Sequence, residues 1–123
     1  MVLHTKHIRG VGRGKEIGFP TANLSFDRDI ILEDGIYAVW VVINNKTYKG
    51  ALHYGPIPTF NQKEKTMEVH LLDITDETFP YTEGADIEID IVEHIRDIKN
   101  FIDPADLTEQ IARDVEKVQM ILK

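Results

Sequence analysis

Cysteine is absent from this 123-residue sequence, which excludes disulfides and thiolate metal sites. Positive charge is scarce: 14 Lys and Arg stand against 21 Asp and Glu, for a net charge of −7. A nucleic-acid partner is therefore not expected, because such binding needs a basic footprint. No apolar run is long enough to span a bilayer. The opening Met1-Val2-Leu3-His4 lacks the apolar segment of a signal peptide. A cytoplasmic protein with no membrane partner follows as the default. Internal repeats and low-complexity linkers are also missing, as is the Gly-x-Ser-x-Gly turn of serine hydrolases. His4, His7, His53 and His94 are scattered and form no zinc pattern. Hydrophobic residues at 42% and charged residues at 28% describe one ordinary globular domain over residues 1–123, expected as a monomer.

What the sequence does have is glycine in one place. Gly10, Gly12, Gly14 and Gly18 fall within Gly10–Asn23, together with Arg13 and Lys15. A backbone without Cβ atoms can turn sharply and bring its N–H groups close to a ligand. Thr21 and Asn23 follow Pro20 with side-chain oxygens. Such a loop suits phosphate and a hard cation. It is neither common nucleotide motif: Glu16 follows Gly14-Lys15 where a Walker loop has Ser or Thr, and Pro20 stands where the helix of a dinucleotide fingerprint would run. Read alone, it is a phosphate cradle or a glycine-rich barrel corner.

Periodicity supplies the outline. Leu3–Arg9 reads as a first strand, Asp27–Asp34 as a connection, and Gly35–Ile43 as a strand apolar on both faces and so covered on both. Asn44-Asn45 is a tight hairpin turn, because Asn tolerates left-handed φ. Thr47–Tyr54 returns, and Gly55-Pro56-Ile57-Pro58 breaks it. Thr66–Asp73 and Ala85–Ile95 alternate with a period of two. The period then changes. Asp103 reads as an N-cap with Pro104 in the first turn, and Leu107, Ile111, Val115, Val118 and Leu122 form one apolar helical stripe. Five or six antiparallel strands and one C-terminal helix hide their edges most simply as a small closed barrel with the helix outside.

Few side chains suggest chemistry. Glu68 lies mid-strand between Met67 and Val69: alternation alone makes it a solvent-facing carboxylate, and a general base if it is held against a proton it removes. His70 shares its face and reads as a packed or hydrogen-bonded histidine. Arg96–Phe101, with two cations and an aromatic, is a solvated loop or a lid over a ligand. Trp40 and Tyr37 serve the core.

Taken in order, these pieces resemble the riboflavin kinase (flavokinase) family. Gly10-x-Gly12-Arg13-Gly14 with Ile17–Leu24 resembles its start, and Gly35-Ile36-Tyr37 with Gly55-x-x-Pro58-Thr59-Phe60 its middle. Met67–Asp73 resembles its catalytic strand, and Ile95-Arg96, Lys99-Asn100-Phe101 and Gln110–Asp114 its tail. The resemblance covers nearly the whole chain. It implies an all-β-dominated fold, a six-stranded antiparallel Greek-key barrel with a C-terminal α-helix packed outside.

The resemblance also implies an ATP:riboflavin 5′-phosphotransferase that yields FMN and ADP with Mg2+. Thr21 and Asn23 would hold the metal and the ATP phosphates, and Gly10 and Lys15 would line the nucleotide site. Leu71, Asp73 and Tyr81 would line the adenosine side. Glu68 would be the base, and Arg96, Lys99 and Asp106 would contact the flavin. Ile98 stands where members usually carry an acid, and Tyr81 is separated from Gly84 where members have the two adjacent. A barrel that keeps flavin or nucleotide binding without turnover is the alternative. Bacterial members are commonly fused behind an adenylyltransferase domain that makes FAD. With nothing ahead of the barrel, a stand-alone gene or an excised domain is expected.

Overall fold

The computed structural model describes residues 1–8, 21–27, 29–56, 65–74, 84–99 and 101–122. Six strands follow one another in the chain: β1 (Val2–Ile8), β2 (Thr21–Ser25), β3 (Gly35–Ile43), β4 (Lys46–Pro56), β5 (Lys65–Leu71) and β6 (Asp86–Arg96). A single helix among the described residues, α1 (Pro104–Ile121), ends the chain. The strands close into an antiparallel barrel in the order β1-β2-β5-β4-β3-β6. β3, β4 and β5 are consecutive neighbours, and β6 returns to lie beside β3, which is the Greek-key arrangement. Closure leaves no free sheet edge for another chain to pair with.

Alternation decides what faces inward. Tyr37, Val39, Val41 and Ile43 of β3 point into the core with Leu52 and Tyr54 of β4, Met67, Val69 and Leu71 of β5, and Ile87 and Ile89 of β6. The β3–β4 turn is Asn44-Asn45, with φ of 51° and 66°. That is the left-handed pair a two-residue hairpin requires, because its twist matches that of the flanking strands. Gly50 also belongs inside. A Cβ there would meet a Val41 methyl at 2.8 Å and a Val69 methyl at 2.9 Å. Gly50→Ala is therefore expected to overpack the barrel and cost about 1–3 kcal/mol, read as a lowered midpoint in thermal unfolding. An unchanged midpoint would show that the barrel expands freely at this point.

The strand boundaries differ from the sequence expectation in two places. β2 is a strand where a loop tail was expected. Ala22 and Leu24 fill the core while Thr21, Asn23 and Ser25 alternate outward. β4 runs on through Gly55 and Pro56 rather than breaking there, with Gly55 opposite Thr66 and Pro56 opposite Lys65. Gly55 makes this possible at φ 141°, with the Asp34 side chain against its α-carbon. The break at Ile57-Pro58 lies outside the described residues.

The outer face of β3 and β4 is covered by α1. Ala38 and Ala51 are register partners. Their small side chains form a flat platform on which Val118 and Leu122 lie, with Leu72, Trp40, Ile95 and Val115 around them. This is why β3 is apolar on both faces: one fills the barrel and the other seats the helix. The helix begins as its sequence suggests, with the Asp103 carboxylate accepting from the Ala105 N–H at 2.9 Å. At its far end Lys49 donates to Gln119, which donates to Asp73. No helix among the described residues is long and apolar enough to cross a membrane.

Candidate active site

The site begins with register. Across the outside of the barrel, Asn23 is opposite Glu68, Glu68 is opposite His53, His53 is opposite Ile36, and Ile36 is opposite Arg96. One belt thus crosses β2, β5, β4, β3 and β6. Thr21, His70, Ala51 and Ala38 form the next belt, two residues along each strand. A bulge in β6 between the partners of Ile36 and Tyr37 shifts its register and brings Arg96 into line. Bulges commonly re-aim a side chain in this way.

Glu68 points out of the barrel, since Met67 and Val69 beside it are in the core. It is nevertheless only 6% exposed, and His70 only 8%. The expected solvent-facing carboxylate is therefore a buried one, which proteins rarely keep without partners or a task. Both residues line a cleft with Ile36, Ala51 and His53 on the barrel side. The opposite wall is the segment after β6, through Ile98, Lys99 and Phe101, and the first half of α1, through Leu107, Ile111 and Asp114. Most of the cleft is apolar; Glu68, His53 and His70 gather on the barrel side, and Lys99 and Asp114 stand on the opposite wall.

Beside it, on the neighbouring strand β2, Thr21 Oγ1 lies 2.9 Å from His70 Nδ1, and His70 Nε2 lies 3.9 Å from Glu68 Oε1. Thr21 and Asn23 are two residues apart and therefore share one face of the strand, the face that carries Glu68 and His70. A hydroxyl and an amide oxygen are hard donors and fit a hard cation that takes its remaining ligands from phosphate and water.

Arg96 lines the cleft, but its guanidinium is committed. Nε and Nη2 each donate to the Asp114 carboxylate at 2.8 Å, and Nη1 donates to the Asp97 carbonyl at 2.9 Å. Asp114 is 3% exposed and also accepts from Gln110, whose carbonyl oxygen accepts from Lys99. Arg96 and Lys99 thus belong to a latch that ties the segment after β6 to the helix. Such a forked pair fixes orientation as well as charge.

Other residues singled out in the sequence fall elsewhere. Leu71 points into the barrel core and not into the cleft. Asp73, at φ 61°, is exposed and held by Gln119. Asp106 is exposed in the first turn of α1, where a carboxylate favours the helix dipole, and Leu107 rather than Asp106 forms the cleft wall. Gly10, Lys15 and Tyr81 lie outside the described residues. Sequence reasoning missed His53 and Asp114. His53 carried a faint signal, an imidazole on the outward period of β4. Asp114 carried a clearer one, an acid interrupting the stripe of Ile111 and Val118.

Comparison with known proteins bears on the family and the fold. The riboflavin kinase (flavokinase) family model matches residues 1–122. The bifunctional riboflavin kinase/FMN adenylyltransferase of Bacillus subtilis is 37% identical over 114 residues, covering 89% of this chain and 35% of that protein. The chain therefore spans about a third of that relative's length. A solved chain described as a macrolide-efflux protein from Streptococcus pneumoniae overlays with a TM-score of 0.81 at 29% identity, covering 96% of this chain and 38% of the other. A riboflavin kinase from Trypanosoma brucei overlays with a TM-score of 0.68 at 23% identity, over 98% of this chain and 78% of that one, and shares the fold. On the extent of the family match, the chain belongs to the riboflavin kinase family.

Proposed function

We propose that this domain transfers the γ-phosphoryl group of ATP to the ribityl 5′-hydroxyl of riboflavin, giving FMN and ADP. The observation that carries the reading is Glu68, a carboxylate buried on the outward face of β5 inside the cleft. The riboflavin hydroxyl oxygen forms the new bond to the γ-phosphorus, and the bond to the β–γ bridging oxygen breaks. The hydroxyl proton passes to Glu68. Such chemistry is mostly positioning and neutralisation of phosphate charge, so one acceptor for the proton is enough. The apolar walls at Ile36, Ile98, Phe101, Leu107 and Ile111 suit a flat, weakly polar ring system. The polar barrel side suits a sugar chain.

Thr21 and Asn23 would hold Mg2+, which when bound supplies charge neutralisation on the phosphates. Thr21→Ala and Asn23→Ala are expected to raise the Mg2+ concentration for half-maximal rate by about tenfold or more, with little change in the KM for riboflavin. A Mg2+ titration of FMN formation checks this, and an unchanged midpoint in both variants would remove the metal assignment.

The function itself is tested by incubating the protein with riboflavin, ATP and Mg2+ and separating the flavins by chromatography. An FMN peak that grows with time and requires ATP is the expected result. Saturable quenching of riboflavin fluorescence with no FMN would instead identify a binding barrel without turnover.

A further inference from the structure

We propose that His70 is a positioning residue that orients the Thr21 hydroxyl as an oxygen donor and takes its own orientation from Glu68. The proposal rests on the reading that Thr21 serves the Mg2+–nucleotide complex. Three observations carry it. His70 is buried on the outward face of β5. It is the direct register partner of Thr21, with Nδ1 2.9 Å from the hydroxyl oxygen. Its other nitrogen faces the Glu68 carboxylate at 3.9 Å.

The chemistry follows from counting protons and lone pairs. A threonine hydroxyl has one proton and two acceptor lone pairs, and a neutral imidazole has one N–H and one bare nitrogen. An anionic carboxylate only accepts, so Glu68 favours the tautomer with the proton on Nε2. Nδ1 is then bare and accepts the Thr21 proton. In that arrangement the ring takes neither lone pair of the Thr21 oxygen. The opposite tautomer would use one of those lone pairs and turn a bare nitrogen toward Glu68. The base and the metal donor are thus connected through one ring, and the carboxylate favours the tautomer that draws no lone pair from Thr21. Partners that orient a ligand in this way commonly matter about 10–100-fold to metal affinity.

The test measures ADP binding by calorimetry with and without Mg2+, riboflavin binding by fluorescence quenching, and thermal midpoint, in the full chain. His70→Phe keeps an aromatic ring and removes both nitrogens. It is expected to weaken Mg2+-dependent ADP binding by about tenfold, a larger fold-change than for metal-free ADP or for riboflavin. Thr21→Val should do the same, and the double variant should be no weaker than the worse single one. His70→Asn, whose amide oxygen can stand in for Nδ1, should recover most of the Mg2+ effect and guards against a folding defect in His70→Phe. Unchanged Mg2+-dependent binding in His70→Phe, additive losses in the double variant, or equal losses for riboflavin and metal-free ADP would each overturn the proposal. Loss in Thr21→Val but not in His70→Phe refutes His70 alone. No loss in Thr21→Val refutes the metal reading of Thr21, and the proposal with it.

Discussion

Glu68→Gln is expected to lower kcat for FMN formation by about a hundred- to ten-thousand-fold, the range that a positioned acid or base contributes. The amide has nearly the same shape and cannot take the hydroxyl proton. Its neighbours Asn23, His53 and His70 are polar and accommodate an amide, so the fold and the cleft should persist. Riboflavin binding, followed by fluorescence quenching, should therefore remain within a few-fold of the parent. A variant that turns over normally would show that Glu68 is a packed carboxylate with no part in the chemistry. A variant that neither folds nor binds would assign it to the architecture instead.

The largest expected effect on stability lies at the latch. Asp114→Ala leaves the Arg96 guanidinium buried without the carboxylate that takes its two 2.8 Å hydrogen bonds. Removing one partner of a buried pair costs about 3–5 kcal/mol, a large share of the stability of a domain this size. Gln110 loses its acceptor as well, and with it the hold on Lys99, which donates to the Gln110 carbonyl oxygen. Chemical denaturation should show a lowered midpoint, and riboflavin affinity should fall with it because the cleft wall comes loose. Replacing both partners, as Arg96→Met with Asp114→Leu, should recover much of the stability, since the charge left unpaired by the single change is gone. It should not recover riboflavin binding to the same degree, because the forked geometry that set the arm is lost. If Asp114→Ala leaves the midpoint unchanged, the latch is ornamental.

The latch and the belt were legible in the sequence to different degrees, for physical reasons. Strand alternation and the helical stripe are local patterns, so β1, β3, β5, β6, the Asn44-Asn45 turn and the Asp103 cap could be read along the chain. β2 could not. Five residues of Thr, Ala, Asn, Leu and Ser carry a weak alternation, and what makes them a strand is pairing with β1 and β5, far away in sequence. The site splits the same way. Glu68 was visible as a carboxylate in a strand, but its burial depends on a cleft built from other elements. Arg96 was visible as a cation in a lid, yet its partner Asp114 lies on the helix, and no spacing rule joins β6 to an acid that interrupts the stripe. Pairwise contacts between distant elements turn a candidate anion receptor into half of a latch.

Phosphoryl transfer in the cleft is read most directly from the stoichiometry of products formed from riboflavin and ATP labelled in the γ-phosphate, with Mg2+ present. Labelled FMN and unlabelled ADP are expected in a one-to-one ratio, with no label released as free phosphate beyond background. Release of labelled phosphate without labelled FMN, or binding of riboflavin with no transfer of label at any time, would contradict it.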